Sequence, residues 1–141
     1  MASILKVDDL RGNTSAGNIT ITSEGGAATM QLQQGVAKAW ASWNGAGTLA
    51  VNDSLNLSSI SDLGTGNYQL NFSSSLNNDD YAYNFTGNGR AESSRFLHSS
   101  MDYTVATGSL QMYWSGSLNS SWGVAYCDTN ASLAVIHGDL A

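Results

Sequence analysis

The stretch GNYQLNF, residues 66–72, decides the fold. It places Tyr68, Leu70 and Phe72 on one side and Asn67, Gln69 and Asn71 on the other. Strict alternation of this kind suits a strand with one buried face; a helix would repeat its apolar residues every three or four positions. The same period recurs in both directions along the chain. YAYNF sets Tyr81, Tyr83 and Phe85 together, and SLQMYWS does so for Leu110, Met112 and Trp114. WGVAYC groups Trp122, Val124 and Tyr126, and ASLAVIH groups Leu133 and Val135. After Thr48, the residues Leu49, Val51, Leu55 and Leu57 share a face that Asp53 interrupts, which predicts a bulge or a break there. NGAG, GTG, NNDD and GNG punctuate these runs as turn-forming clusters. Eight to ten short strands from Gly35 onward predict an all-β, antiparallel β-sandwich or jelly-roll-like domain over residues 35–141.

Residues 1–34 read differently. They hold two strand-like pieces, Asn18–Thr22 and Ala28–Gln33, and no aromatic residue. Ile19 and Ile21 share one side of the first, Met30 and Leu32 one side of the second. Two such strands alone are marginal in water and need a partner. That partner is either the domain behind them, which makes them its first hairpin, or other copies of the chain, which makes them an extended N-terminal β-arm for attachment or trimerisation. The arm is the reading adopted.

The join, GVAKAWASWNGAGT from Gly35 to Thr48, has apolar residues on both sides: Val36, Lys38 and Trp40 against Ala37, Ala39, Ala41 and Trp43. This predicts a strand covered twice. Ile19, Ile21, Met30, Leu32, Trp40 and Trp43 are therefore the candidate arm and subunit interface. Tyr113 and Trp43, out of phase with apolar neighbours, are expected to be exposed or to face a subunit, whereas Trp114 and Trp122 are expected in the core.

Composition excludes several function classes. Charged residues are 11% of the 141, under half the usual share of roughly 25%, and the net charge is −6. No basic stripe exists to neutralise phosphates, and an anionic membrane would repel the chain, so neither nucleic acid nor membrane insertion is expected. MASILKV lacks the long apolar core of a signal peptide, so no Sec export is expected. The single cysteine, Cys127, forms no intrachain disulfide and reads as a packing residue.

Enzymatic chemistry finds little support. His98 and His137 fall in no metal-binding spacing, and no G-x-S-x-G elbow is present. Asp79 and Asp80 are adjacent, so on a strand they point to opposite faces and cannot converge as a catalytic pair; with Asn77 and Asn78 they read as a turn. No catalytic residue, metal or cofactor is expected. The least periodic stretch, Gly87–Ser100, predicts an exposed loop in which Arg90, Arg95, Phe96 and His98 meet an anionic or glycan receptor or an acidic neighbouring subunit.

The run from Gly35 to Tyr83 resembles a domain of tailed-bacteriophage proteins, of the marine and cyanophage type. The residues that carry the likeness are Gly35, Lys38, Ala39 and Trp40; Asn44, Gly45, Gly47 and Thr48; Asn56 to Ile60; Gly64 to Gly66 with Tyr68, Leu70 and Phe72; and Tyr81 with Ala82. The leader ASILKVDDLRGNTSAGNITI is similar to segments that precede it. The resemblance implies a non-enzymatic, homotrimeric virion component exposed on the particle: a short tail fibre or receptor-binding module. The alternative is a capsid decoration protein bound to the major capsid protein. The partners implied are the chain itself, tail or major capsid proteins, and a host-surface glycan. The chain carries no long shaft, which favours a stub fibre or a small capsid-surface protein.

Overall fold

The computed structural model describes residues 4–15, 19–23, 25–89, 97–99, 104–117 and 124–141. The chain divides into two compact units, Met1–Val36 and Ala37–Ala141.

The first unit is a hairpin of β1 (Thr20–Thr22) and β2 (Thr29–Gln31), followed by a single turn of helix, α1 (Leu32–Gly35). The ladder pairs Thr20 with Gln31, Ile21 with Met30 and Thr22 with Thr29. The loop closes through Ser23, whose N–H donates to the Ala28 carbonyl at 2.8 Å and whose carbonyl accepts the Gly26 N–H. Leu32 still donates to the Ile19 carbonyl at 2.7 Å. Beyond it the chain coils, so Leu32 and Gln33 belong to a helical turn and not to the strand expected for them.

The second unit is all-β and antiparallel. Its strands are β3 (Ala39–Asn44), β4 (Ala50–Leu55), β5 (Leu57–Gly64), β6 (Asn67–Phe72), β7 (Ala82–Gly89), β8 (Leu97–Ser99), β9 (Thr104–Ala106), β10 (Ser109–Ser117), β11 (Val124–Tyr126) and β12 (Thr129–His137). One sheet has the order β4-β3-β12-β7; in the other, β10 pairs with β6 and β11, β6 pairs with β5, and β8 and β9 also pair with β10. The two sheets pack as a sandwich, and aromatic side chains bridge them. Trp43 meets Tyr68 edge-on at 6.0 Å, Phe85 meets Trp114 at 6.4 Å, and Phe72 meets Tyr81 at 6.0 Å. Edge-to-face pairs of this kind add to the area they bury. Leu70, Leu110, Met112 and Ile136 complete the core.

The alternation read in β6 and in Leu110, Met112 and Trp114 holds: all six apolar side chains are buried. Tyr81 is buried, and Tyr83 and Phe85 stack at 5.1 Å beside it. Four expectations are corrected. Trp43 is 0% exposed, at the centre of the core. Its alternating partners are Ala39 and Ala41, which leave room for large rings but give no hydrophobic signal of their own. In β12 the phase is reversed: Ser132, Ala134 and Ile136 face inward, while Leu133 is exposed and Val135 half-buried. The opposing ring explains this, because Trp114 lies over Gly87, where a Cβ would meet it at 3.0 Å, and Gly87 pairs with Ser132. Only small side chains fit beneath that ring.

The third correction concerns β4. The bulge expected at Asp53 is present, because Ser42 pairs with Asp53 but Trp43 with Val51, skipping Asn52. A one-residue insertion flips the faces, so Leu55 lies opposite Trp40 on the outer side while Val51 lies opposite the inward Trp43. The two leucine and valine positions expected to share a face do not share it, and both are exposed at this sheet edge. The fourth is Tyr126, which is also exposed and rests on Tyr113 with ring centroids 5.4 Å apart. Trp122 lies outside the described residues.

Candidate functional site

Of the residues on which the likeness rests, Asn44, Gly45, Asn56 and Gly66 stand at turns, and Ala39, Ile60, Tyr68, Leu70 and Phe72 lie in the core. Asn44 Oδ1 accepts the Ala46 N–H at 2.9 Å, which tightens the turn after β3, and Gly45 donates to the Thr129 carbonyl at 2.8 Å. A Cβ on Gly45 would overlap the Tyr68 hydroxyl. Asn56 stands between β4 and β5 in the left-handed region, at φ 56°. Its side chain clasps Ser74 at both ends, accepting the N–H at 2.7 Å and donating to the carbonyl at 3.0 Å. An asparagine suits that backbone conformation as few other residues do.

Gly66 is confined by backbone atoms. Trp114 donates its N–H to the Gly66 carbonyl at 2.6 Å and accepts the Cys127 N–H on its own carbonyl at 3.1 Å. Both groups of one strand residue point to one edge, so β6 and β11 lie end to end along the same side of β10, with Gly66 at their junction. A Cβ there would stand 2.6 Å from the Trp114 oxygen and 2.8 Å from the Cys127 nitrogen, at a φ of +68°. Asp128 finishes the knot: its Oδ1 accepts the Gly66 N–H at 2.7 Å and the Tyr68 hydroxyl at 2.8 Å. Burial first, and then the Asp128 carboxylate, hold the Tyr68 hydroxyl well above the usual tyrosine range. A neutral, buried phenol that bridges three segments is a scaffold element and offers no reactive group.

Elsewhere, Asp80 donates its N–H to Asn78 Oδ1 at 3.1 Å, the turn expected of NNDD. Cys127 is buried. Among the described residues no three His, Cys, Asp or Glu side chains gather as metal ligands, and no helix is long and apolar enough to cross a membrane. Among the described residues there are open depressions of which two bear on the hairpin and on β12. One is lined by Thr86, Gly87, Ala131 and Leu133, the other by Ile21, Ser23, Ala28, Thr29 and Met30. Neither contains a titratable side chain.

What the structure offers is apolar surface. Within Met1–Val36 none of the described residues is buried, although Ile4, Leu5, Val7, Ile21, Met30 and Val36 are all large and apolar. Ile21 and Met30 sit directly opposite each other in the ladder and are 42% and 52% exposed. Ile19 and Leu32 are half-buried beside them. In the second unit, Trp40 lies half-buried on the outer face of its sheet, flanked across the ladders by Leu55 and Val135. So five of the six interface candidates are at least partly exposed, while Trp43 is not available to any partner.

The expected recognition loop divides. Gly87–Gly89 continue β7, and His98 lies within β8, paired with Ser115 of β10, so the stretch is not one unbroken loop. The short strand Leu97–Ser99 carries no periodic signal, because three residues are too few to show one. Arg90, Arg95 and Phe96 lie outside the described residues. No protein-family model, curated protein or solved structure matches this chain.

Proposed function

We propose that the chain is a non-enzymatic bacteriophage virion structural protein, a short homotrimeric tail fibre or receptor-binding module that residues 1–34 anchor to the particle. The observation that carries the reading is the hairpin of β1 and β2. Its Ile21–Met30 pair and the apolar residues ahead of it have no burial of their own, and a two-stranded sheet of this size is marginal by itself. Each Å² they bury against a partner contributes about 25 cal/mol. Other copies of the chain and virion proteins are the partners this surface suits. The outer stripe of Leu55, Trp40 and Val135 supplies a second apolar surface for neighbouring subunits.

The likeness in Lys38, Trp40, Asn44, Asn56 and Tyr68 supplies the virion context. Most of these residues build turns and core, as the signature of an assembling scaffold would. Two measurements test the proposal. Sedimentation at micromolar concentration is expected to give a trimer, and a monomer would overturn it. Labelled antibody with electron microscopy of particles is expected to mark tails; label spread over the shell would instead make the protein a decoration bound to the major capsid protein.

A further inference from the structure

The sheet built from β5, β6, β10 and β11 has an outer face rich in amides, hydroxyls and phenols. The alternation that buries Tyr68, Leu70 and Phe72 turns Asn67, Gln69 and Asn71 outward. The ladder sets Gln111 opposite Gln69 and Tyr113 opposite Asn67. These side chains hold one another. Gln69 Nε2 donates to Asn71 Oδ1 at 2.7 Å, and Asn71 Nδ2 donates to Ser59 and Ser61 hydroxyls at 3.0 and 3.1 Å. Gln111 Nε2 donates to Asn67 Oδ1 at 3.0 Å and to the Tyr113 hydroxyl at 3.1 Å. At the end of this carpet the rings of Tyr113 and Tyr126 meet at 43°, with Tyr126 48% exposed.

Three properties of the face select its ligand. First, the residues Asn67, Gln69, Asn71, Gln111, Tyr113 and Tyr126 offer amides and phenols without formal charge, and the titratable residue that the ladder brings beside them is His98, paired with Ser115 as Tyr126 is. Second, it is preorganised, because each amide is oriented by a neighbour, and among the described residues Asn67 Nδ2, Gln69 Oε1 and Gln111 Oε1 still have no partner. Donors and acceptors held in this way lose little freedom on binding. Third, an apolar protein surface would leave those amides desolvated and unpaired, at a cost that a hydroxyl-rich ligand avoids.

We infer that this face binds a neutral oligosaccharide, whose hydroxyl groups pair with the Asn67, Gln69 and Gln111 amides while the C–H face of one ring stacks on Tyr126 and Tyr113. Asn67 and Asn71 are four residues apart on β6, about 13 Å at the usual rise, enough to engage more than one ring. A chain carrying a net charge of −6 also favours neutral over acidic sugars. The inference rests on this sheet's chemistry and needs nothing from the virion reading, so either can fail alone.

The test presents the full-length protein with immobilised neutral oligosaccharides and, in parallel, with sialylated and sulfated ones, and follows hits by titration calorimetry. Neutral probes are expected to bind and acidic ones not. Tyr126→Ala and Gln111→Ala should each weaken binding roughly tenfold or more, while Tyr126→Phe, which keeps the ring, should bind nearly as the parent. Far-ultraviolet circular dichroism of each variant reports folding. Failure of every neutral probe at millimolar concentration, preference for acidic probes, or unchanged binding in both alanine variants overturns the site. So does a change in sedimentation caused by Tyr126→Ala, which would assign the face to subunit contact.

Discussion

The Tyr68 hydroxyl lies 2.8 Å from Asp128 Oδ1 and 3.1 Å from the Gly45 carbonyl, so one proton ties three segments that span Gly45 to Asp128. Because Asp128 also takes the Gly66 N–H, removing the hydroxyl leaves a partly buried carboxylate with a single described donor. Tyr68→Phe is therefore expected to cost about 1.5–3 kcal/mol, the range for a hydrogen bond to a charged group. Urea unfolding of the variant should show a lower midpoint at an unchanged slope. An unchanged midpoint would mean that the knot contributes nothing to stability.

A confined glycine and an open one give a paired prediction. Gly66→Ala forces a side chain into the left-handed region and against the backbone of Trp114 and Cys127. Backbone strain and overpacking are each worth roughly 1–3 kcal/mol, and together they endanger the fold. Gly25→Ala meets nothing within 4 Å and should leave the melting temperature almost unmoved. Thermal melts of the two variants decide the matter, and equal melting temperatures would refute the account of the β6–β11 junction.

Alkaline stability follows from the same core. Burial pushes the Tyr81 hydroxyl up to about 12, with the Asp79 carboxylate adding to it, and holds Tyr68 higher still. Unfolded tyrosine ionises near 10. A pKa raised on folding contributes stability that is complete below the unfolded value and is lost as pH climbs through the folded one. The protein should therefore keep constant stability from neutrality to about pH 10 and lose it between about pH 10 and 12. Tyrosinate absorbance followed alongside near-ultraviolet circular dichroism should show a late ionisation step coincident with loss of the aromatic signal. Full ionisation with the aromatic signal intact would contradict it.

Strand period was legible because both sheets leave one face toward water, and the turns at Asn44 and Gly66 were legible because they meet stereochemical demands few residues satisfy; the break at Asn56 was not, because the polar–apolar alternation runs on through it from Ala50 to Leu57. Phase in β3 and β12 was not. Hydrophobicity ranks Leu133 above Ser132, but the volume available beside Trp43 and beneath Trp114 favours the smaller residue, and that volume is set by strands far away in sequence. The amides of β6 were visible as the polar half of an alternation, yet only the ladder with β10 shows that they meet Gln111 and Tyr113. A substitution pair tests the corrected phase. Ile136→Ala, from a fully buried site, should cost about 2–5 kcal/mol, whereas Leu133→Ala, 47% exposed, should cost under about 1. The reverse order would restore the periodic reading.

The hairpin bears the heaviest claim and admits the sharpest variant. Ile21 and Met30 face each other across the ladder with their side chains in solvent, and each can be made polar without disturbing a buried contact. The Ile21→Ser, Met30→Ser double variant is expected to leave the second unit folded, because none of the core residues lies before Ala37. Chemical unfolding, followed by core tryptophan fluorescence, should then superimpose on that of the parent when both are compared as monomers. Sedimentation should shift from trimer toward monomer, since burying the exposed half of two such side chains is worth about 1.5–3 kcal/mol per copy. At the level of the particle, the variant should be incorporated poorly when it competes with the parent. A double variant that assembles and incorporates like the parent would show that the hairpin holds nothing, and attachment would have to be sought on the outer stripe of Trp40, Leu55 and Val135.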